Sequence, residues 1–231
     1  MTQPPAESEF RESLQRLANR YWAHHPFHLR LHDGRCSAAE VRLWVANRWY
    51  YQRHLPQKNA AIVANCPLPE VRRIWVERIA FQDGAGDADG GLHDWLVLGE
   101  AVGLQRDEVV DERHVLPGVR FAVDAYLDFC RRKPWIEGVA AALTEMFSPG
   151  HMADRMAAWK RHYDWIEPGG LAYFERRIPA ARADSSVTLG VVLKHCVTRE
   201  QQDAAVRALS FKCDVLWAML DAIDYKGQSW A

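Results

Sequence analysis

Apolar residues recur along this chain every three to four positions, and strict polar/apolar alternation is hard to find, so the pattern predicts helices throughout. Phe10, Leu14, Leu17 and Tyr21 form a 4-3-4 stripe on a first helix over 7–23, which ends before His24-His25-Pro26. Ser37 with Glu40 three residues later is a capping-box signature; it opens a long helix toward Asn65, with a kink expected at Pro56. Helices over 69–82 and 92–102 follow, separated by Asp83-Gly84-Ala85-Gly86-Asp87-Ala88-Asp89-Gly90-Gly91, a segment suited to a turn or a mobile flap. Gly103 can cap the second of these. Pro117, Pro134, Pro149 and Pro168 each fit the first turn of a helix, which predicts helices near 117–131, 134–147, 149–164 and 168–178. A shorter helix is expected over 185–196. Thr198 with Gln201 caps the last one, whose apolar pattern persists to Asp224. The fold class is all-α: a compact multi-helix bundle, one domain over 1–231 with flexible ends at 1–6 and 226–231.

Against this pattern several polar residues occupy apolar stripes. Lys212 completes the stripe Ala205, Leu209, Leu216, Met219 and Ile223 on the last helix; such a lysine either snorkels to the surface or meets a buried partner. Val41, Val45, Arg48, Gln52 and Leu55 step by 4, 3, 4 and 3, with Lys58 one turn further. Tyr173 and Arg177 stand at i, i+4, Tyr126 ends the stripe Val119-Val123-Tyr126, Arg155 lies beside Met152, Met156 and Trp159, and Arg78 follows Trp75. Each alone reads as structural. Six inward cations with Glu145 as counter-charge do not, because stripping one partner from a buried ion pair costs about 3–5 kcal/mol. Together they point to a central cationic pocket, lined by tyrosines, that holds a planar polycarboxylate.

Composition narrows the function classes. The 231 residues are 48% hydrophobic and 26% charged, and 29 Lys+Arg against 30 Asp+Glu leave a formal charge of -1. Disorder is excluded, and there is no global basic field for nucleic acid or an anionic bilayer. No apolar run approaches a membrane span and the N-terminus lacks a signal-peptide pattern, so a cytoplasmic setting is expected. Five scattered cysteines argue against a disulfide framework or a zinc ribbon, and ten tryptophans favour a large helical core extended by a dimer interface. Nucleotide, dinucleotide and esterase motifs are absent. Asp111-x-x-His114 is a lone near match to a di-iron motif, and His24, His25, His28 and His32 read as surface or capping groups before metal or haem ligands.

The chain also resembles a known family, the pyrroloquinoline quinone synthases of the haem-oxygenase-like helical superfamily, from about Leu17 to Ala222. The likeness is carried by His24-His25-Pro26, Val45-Ala46-Asn47-Arg48-x-Tyr50-Tyr51-Gln52, Ala64-Asn65-Cys66-Pro67, Leu143-Thr144-Glu145 and Phe211-Lys212-x-Asp214-x-Leu216-Trp217. The most specific stretch runs from Glu112-Arg113-His114 through Leu116-Pro117-Gly118-Val119-Arg120 to Tyr126. The resemblance implies a helical homodimer that closes the ring of a quinone precursor, bearing an amino-acid arm and ring carboxylates, and oxidises it with molecular oxygen. Hydrogen peroxide is released, with no metal or organic cofactor; the quinone is the product. It places the pocket on Tyr21, Arg48, Gln52, Lys58, Arg78, Tyr126, Glu145, Arg155, Tyr173, Arg177 and Lys212, with Gln82 at a catalytic position. On this reading Arg48, Lys58, Arg78 and Arg155 pair with carboxylates, Tyr173, Arg177 and Lys212 surround the face where oxygen is reduced, and Glu145 and Tyr126 relay protons.

Three departures stand out: Trp22, Gln82 and Met152 occupy positions where family members carry histidine. Gln82 replaces the His of a His-Asp-Gly motif and cannot act as a general base near neutrality, although it can hydrogen-bond a quinone oxygen or orient a water. His151 is one candidate to replace the missing imidazole. Two other readings stand beside the synthase: a divergent haem-oxygenase-like enzyme of thiaminase or metal-oxidase type, and a protein that binds or delivers the quinone without turnover.

Overall fold

The computed structural model describes residues 4–228, with Pro149, Arg182 and Gln228 described by backbone alone. The helices are α1 Glu7–Gln15, α2 Pro26–His32, α3 Ala38–Asn65, α4 Pro69–Asp83, α5 Gly91–Ala101, α6 Arg106–Val110, α7 Pro117–Arg132, α8 Trp135–Ala141, α9 Ser148–His162, α10 Ala172–His195 and α11 Arg199–Gln228. Among the described residues there is no strand, only an isolated bridge between Ala85 and Ala88 in the glycine-rich turn. The long α3 packs against α4, α5, α7, α8 and α11, while α11 also covers α7 and α8, and α10 lies over α8, α9 and the 142–146 turn.

Local signals place the long helices. The Ser37 side chain accepts from the Glu40 amide while Glu40 accepts from the Ser37 amide, closing the box that starts α3. Thr198 and Gln201 exchange equivalent bonds at the start of α11. Gly103 takes φ +86° and its amide bonds the Glu100 carbonyl, a left-handed stop after α5. The tryptophans build a core: Trp44 lies 5.6 Å from both Trp95 and Trp159, and Trp159 lies 5.7 Å from Phe174. All five cysteines are free and buried.

The structure corrects four boundaries. The first helix stops at Gln15 and continues as 3-10 turns over Arg16–Arg20 and Trp22–His24; Arg20 is bound by Ser210 and Asp214 on α11, and the extended Tyr21 between the turns directs its ring inward. The short α6 has a Gln105–Glu108 capping box that the apolar pattern does not announce. The helix expected over 134–147 changes to 3-10 geometry at Ala142. The segments expected as helices over 168–178 and 185–196 are largely one helix, α10, running unbroken through Pro179. Proline removes one donor there, but Arg177 and Asp184, two turns apart, are joined at 2.9 Å across the interruption. At the ends, 226–228 continue α11, whereas residues 1–3 and 229–231 lie outside the described residues. Among the described residues no helix is long and apolar enough to cross a membrane.

Candidate functional site

A cavity lies between α3, α7, α9, α10, α11 and the turns that carry Tyr21 and Glu145. It is lined by ten of the twelve residues expected there: Tyr21, Arg48, Gln52, Lys58, Tyr126, Glu145, Arg155, Tyr173, Arg177 and Lys212. Arg78 and Gln82 instead line a second, outer cavity between α3, α4 and α10. Leu55, Lys58, Glu145 and Arg177 line both and form the wall between them.

The inner cavity holds positive charge on aromatic faces. Lys212 is 1% exposed; its Nζ has no hydrogen-bond partner and sits 3.6 Å from the Tyr126 ring centre and 4.2 Å from that of Tyr51. Burial, then Arg48 and Lys58, push its pKa well below the usual lysine value. Arg48 stacks 4.1 Å over Tyr51, and Lys58, lowered by burial, lies 5.8 Å from the Tyr126 ring. Arg155 is held between indoles, 4.6 Å from Trp22 and 4.8 Å from Trp44, and its Nη2 donates to His28 Nδ1 at 3.2 Å. Burial and Arg48 push this guanidinium down to about 9. Burial, with Arg155 beside it, drives His28 far below the usual imidazole range, which keeps its ring neutral and able to accept. The Tyr126 phenol, fully buried, is raised well above its ordinary value and so remains protonated.

The outer cavity is charge-balanced. Arg177 bonds Glu145 at 2.8 Å and Asp184 at 2.9 Å; Arg78 meets Glu145 and Asp184 at 3.3 Å each and donates to Thr188 at 2.7 Å. Burial alone would raise Glu145, but Arg78, Arg177 and Lys58 outweigh it and hold this carboxyl below its usual value. Asp184 is raised, by burial and by the charge on Glu145. The sequence reading therefore lacked a counter-ion: two of its six cations are neutralised inside the protein. Gln82, 4% exposed, reaches the inner cavity only through Gln52, whose Oε1 accepts from the Tyr173 hydroxyl at 3.0 Å and from Gln82 Nε2 at 3.5 Å. Gly91 lets the glycine-rich turn close against this group, since a Cβ there would stand 2.6 Å from Gln82 Oε1.

Of the three departures, Trp22 and Met152 line the inner cavity and Gln82 the outer one. His151 lines neither; its ring lies 5.8 Å from Tyr21 and 6.2 Å from Trp22, so it does not occupy the place of a lost cavity imidazole. Within the histidine group, His25 caps α2 by accepting from the Phe27 amide, and both His25 and His28 are buried and not at the surface. Among the described residues no three His, Cys, Asp or Glu are arranged to hold a metal ion. Tyr51, Asp184 and Thr188 belong to the site although the stripe argument passed over them. Tyr51 is the neighbour of Gln52 and sits off its stripe, while Asp184 and Thr188 meet Arg78 only through the tertiary fold.

Residues 11–222 match the model of the TENA/THI-4/PQQC family. The chain is 50% identical over 216 residues to the pyrroloquinoline-quinone synthase of Pseudomonas aeruginosa strain LESB58, covering 94% of this chain and 86% of that protein. It is 47% identical over 220 residues to the protein of that name from Pseudomonas entomophila strain L48, covering 95% and 88%. Among solved structures it superimposes with TM-score 0.81 and 13% identity on a domain of unknown function with a heme oxygenase-like fold from Shewanella denitrificans, covering 98% of this chain and 95% of that one. A TenA homologue from Pseudomonas syringae gives TM-score 0.73 at 12% identity, covering 96% and 94%. The fold is thus heme oxygenase-like, and the chain belongs to the TENA/THI-4/PQQC family, together with the pyrroloquinoline-quinone synthases.

Proposed function

We propose that the chain acts in pyrroloquinoline quinone biosynthesis as the enzyme that closes the ring of a quinone precursor and oxidises it with molecular oxygen, releasing hydrogen peroxide without a metal or organic cofactor. The observation that carries this reading is the inner cavity's cations, which lie on aromatic faces with Glu145 as the one carboxylate among the lining residues. A flat triacid supplies the missing negative charge and slides between ring planes. The names of the relatives supply the substrate class. Oxygen chemistry with a redox-active substrate asks the protein only to bind, orient and move protons.

Arg48, Lys58 and Arg155 hold carboxylates in this scheme. Arg78, already bound by Glu145, Asp184 and Thr188, fixes Glu145 in place. Lys212 and Tyr173 face the oxygen, where a preorganised cation stabilises a developing superoxide or peroxide anion, and Arg177, paired with Glu145 and Asp184, closes the wall beside them. Tyr126 stays protonated and donates, and Glu145 stays ionised and accepts. Gln82 passes no proton of its own; it holds Gln52 against Tyr173. A second copy of the chain would pack on the exposed Phe121 and Tyr225 of α7 and α11.

The test is anaerobic mixing with the amine-bearing precursor, followed by admission of oxygen while absorbance and peroxide are recorded. The expected result is a bound species before oxygen, then the product spectrum with peroxide. Tight binding with no oxygen uptake would establish the delivery reading, which the loss of an imidazole at Gln82 favours. Turnover that needs a thiol or an added metal would establish the thiaminase or metal-oxidase reading. Lys212→Met is expected to bind precursor and to lose the oxidative step; full turnover in that variant rules out its role.

A further inference from the structure

Three arginines at the two cavities are held by acceptors of different kinds. Arg78 and Arg177 are held by carboxylates, whereas Arg155 Nη2 donates to His28 Nδ1 at 3.2 Å, its one hydrogen bond among the described residues. Trp22 and Trp44 cover the Arg155 guanidinium at 4.6 and 4.8 Å. Two indoles keep this flat group from tilting but leave it free to turn in its own plane, and the bond to His28 fixes that angle. His28 is 3% exposed and does not line the inner cavity, whereas Arg155 does, so any effect of His28 on a guest passes through Arg155. The imidazole is itself seated: Trp22 meets it edge-on at 4.2 Å, and His32, one turn along α2, lies 4.0 Å away. Because a guanidinium only donates, Nδ1 is the bare nitrogen and the ring is the neutral tautomer with its proton on Nε2. A neutral acceptor fixes direction without cancelling charge. A carboxylate in the same place would bind the guanidinium more firmly and, as at Arg78 and Arg177, cancel the charge that an anionic guest needs.

We propose that His28 is a positioning residue, a neutral acceptor that sets the orientation of Arg155 toward a carboxylate of the guest and leaves its charge uncancelled. This rests on the proposed function and deepens it: affinity for the anion depends on a residue outside the cavity that never touches the anion, and on that residue being uncharged. An asparagine side chain puts an amide oxygen about where Nδ1 stands, aspartate puts a charged oxygen there, and leucine puts no acceptor at all. Three substitutions therefore separate orientation from charge.

Calorimetric titration with pyrroloquinoline quinone and steady-state turnover of the precursor, in wild type, His28→Leu, His28→Asn and His28→Asp, test the role. His28→Leu is expected to bind the quinone about tenfold more weakly, with precursor KM raised in step and kcat kept within about threefold, since the lost interaction serves precursor and transition state alike. His28→Asn is expected to stay within about threefold of wild type in affinity. His28→Asp is expected to lose affinity as His28→Leu does, while its ligand-free melting temperature is no lower than that of His28→Asn. A merely structural histidine would order affinity by stability; the positioning role groups aspartate with leucine in affinity and with asparagine in stability. If the leucine variant does not fold, the asparagine and aspartate variants, which are nearly isosteric and differ in charge, carry the test. Wild-type affinity in His28→Leu, or equal affinity in His28→Asn and His28→Asp, overturns the role. If wild type binds no pyrroloquinoline quinone, the proposed function falls and the role with it. If wild type binds it and the variants bind it alike, only the role falls.

Discussion

The two cavities share a wall but solve the burial of charge in opposite ways. In the outer one, Arg78 and Arg177 are ringed by Glu145 and Asp184, with Thr188 taking a further guanidinium N–H. In the inner one, Arg48, Arg155 and Lys212 lie on the faces of Tyr51, Trp22, Trp44 and Tyr126. An aromatic face offsets part of the desolvation cost of a cation but carries no net charge, so the field inside the inner cavity remains positive. A cation's position in this fold therefore does not reveal its task; its partners do. Arg78 and Arg177, which meet carboxylates as well as the rings of Trp75 and Phe81, hold helices together, and cations that meet rings but no carboxylate leave their charge for a guest.

The largest effect expected from this contrast is on stability. Arg78→Met removes one of the two guanidinium groups that Glu145 and Asp184 share, together with the bond to Thr188, and leaves Arg177 to hold both carboxylates, which should cost about 1.5–3 kcal/mol in urea unfolding. Lys212→Met should do the reverse. It replaces a buried, unpartnered ammonium by a chain of similar length, and should stabilise the ligand-free protein by about 1–3 kcal/mol. The same variant should lose most of the thermal shift that pyrroloquinoline quinone gives to wild type, a shift that reports affinity through mass action. Destabilisation by both substitutions, to a similar extent, would erase the distinction between the cavities.

Much of this arrangement is written in local sequence, and the rest is not, for identifiable reasons. Caps such as Ser37–Glu40 and Thr198–Gln201 act over three residues and need no tertiary context. The stripes that single out Arg48, Gln52 and Lys58, or Lys212 among Leu209 and Leu216, follow from helical geometry, and all four of those polar residues line the inner cavity. Asp184 was hidden because it falls between Pro179 and the helix expected over 185–196, in a stretch that reads as a break between helices, and because its bond to Arg78 spans 106 positions. Gln82, which the family resemblance sets at a catalytic position, lines the outer cavity and not the inner one, and no helical pattern tells which side of a shared wall a residue faces. His28 reads as a surface or capping residue near a proline; the Trp22 ring, 4.2 Å away, and Arg155 from α9 bury it.

The pH dependence of stability offers the smallest but most selective separation. Lys212 has a folded pKa far below its unfolded value of about 10.4, so between those two values the unfolded chain binds the extra proton and stability rises with pH. Its cost is fully present below the folded value and disappears as pH climbs through the ordinary lysine range. Glu145 behaves in the opposite sense: its folded pKa is depressed, so its contribution is present above the unfolded value of about 4.3 and is lost as pH falls through the folded one. Denaturation midpoints measured across the pH scale should therefore show Lys212→Met flattening the alkaline limb alone. Arg78→Met, which removes a charge that holds Glu145 down, should flatten the acid limb alone. A variant that alters both limbs together would mean that the wall between the cavities does not separate their charges, and the division between structural and guest-binding cations would have to be given up.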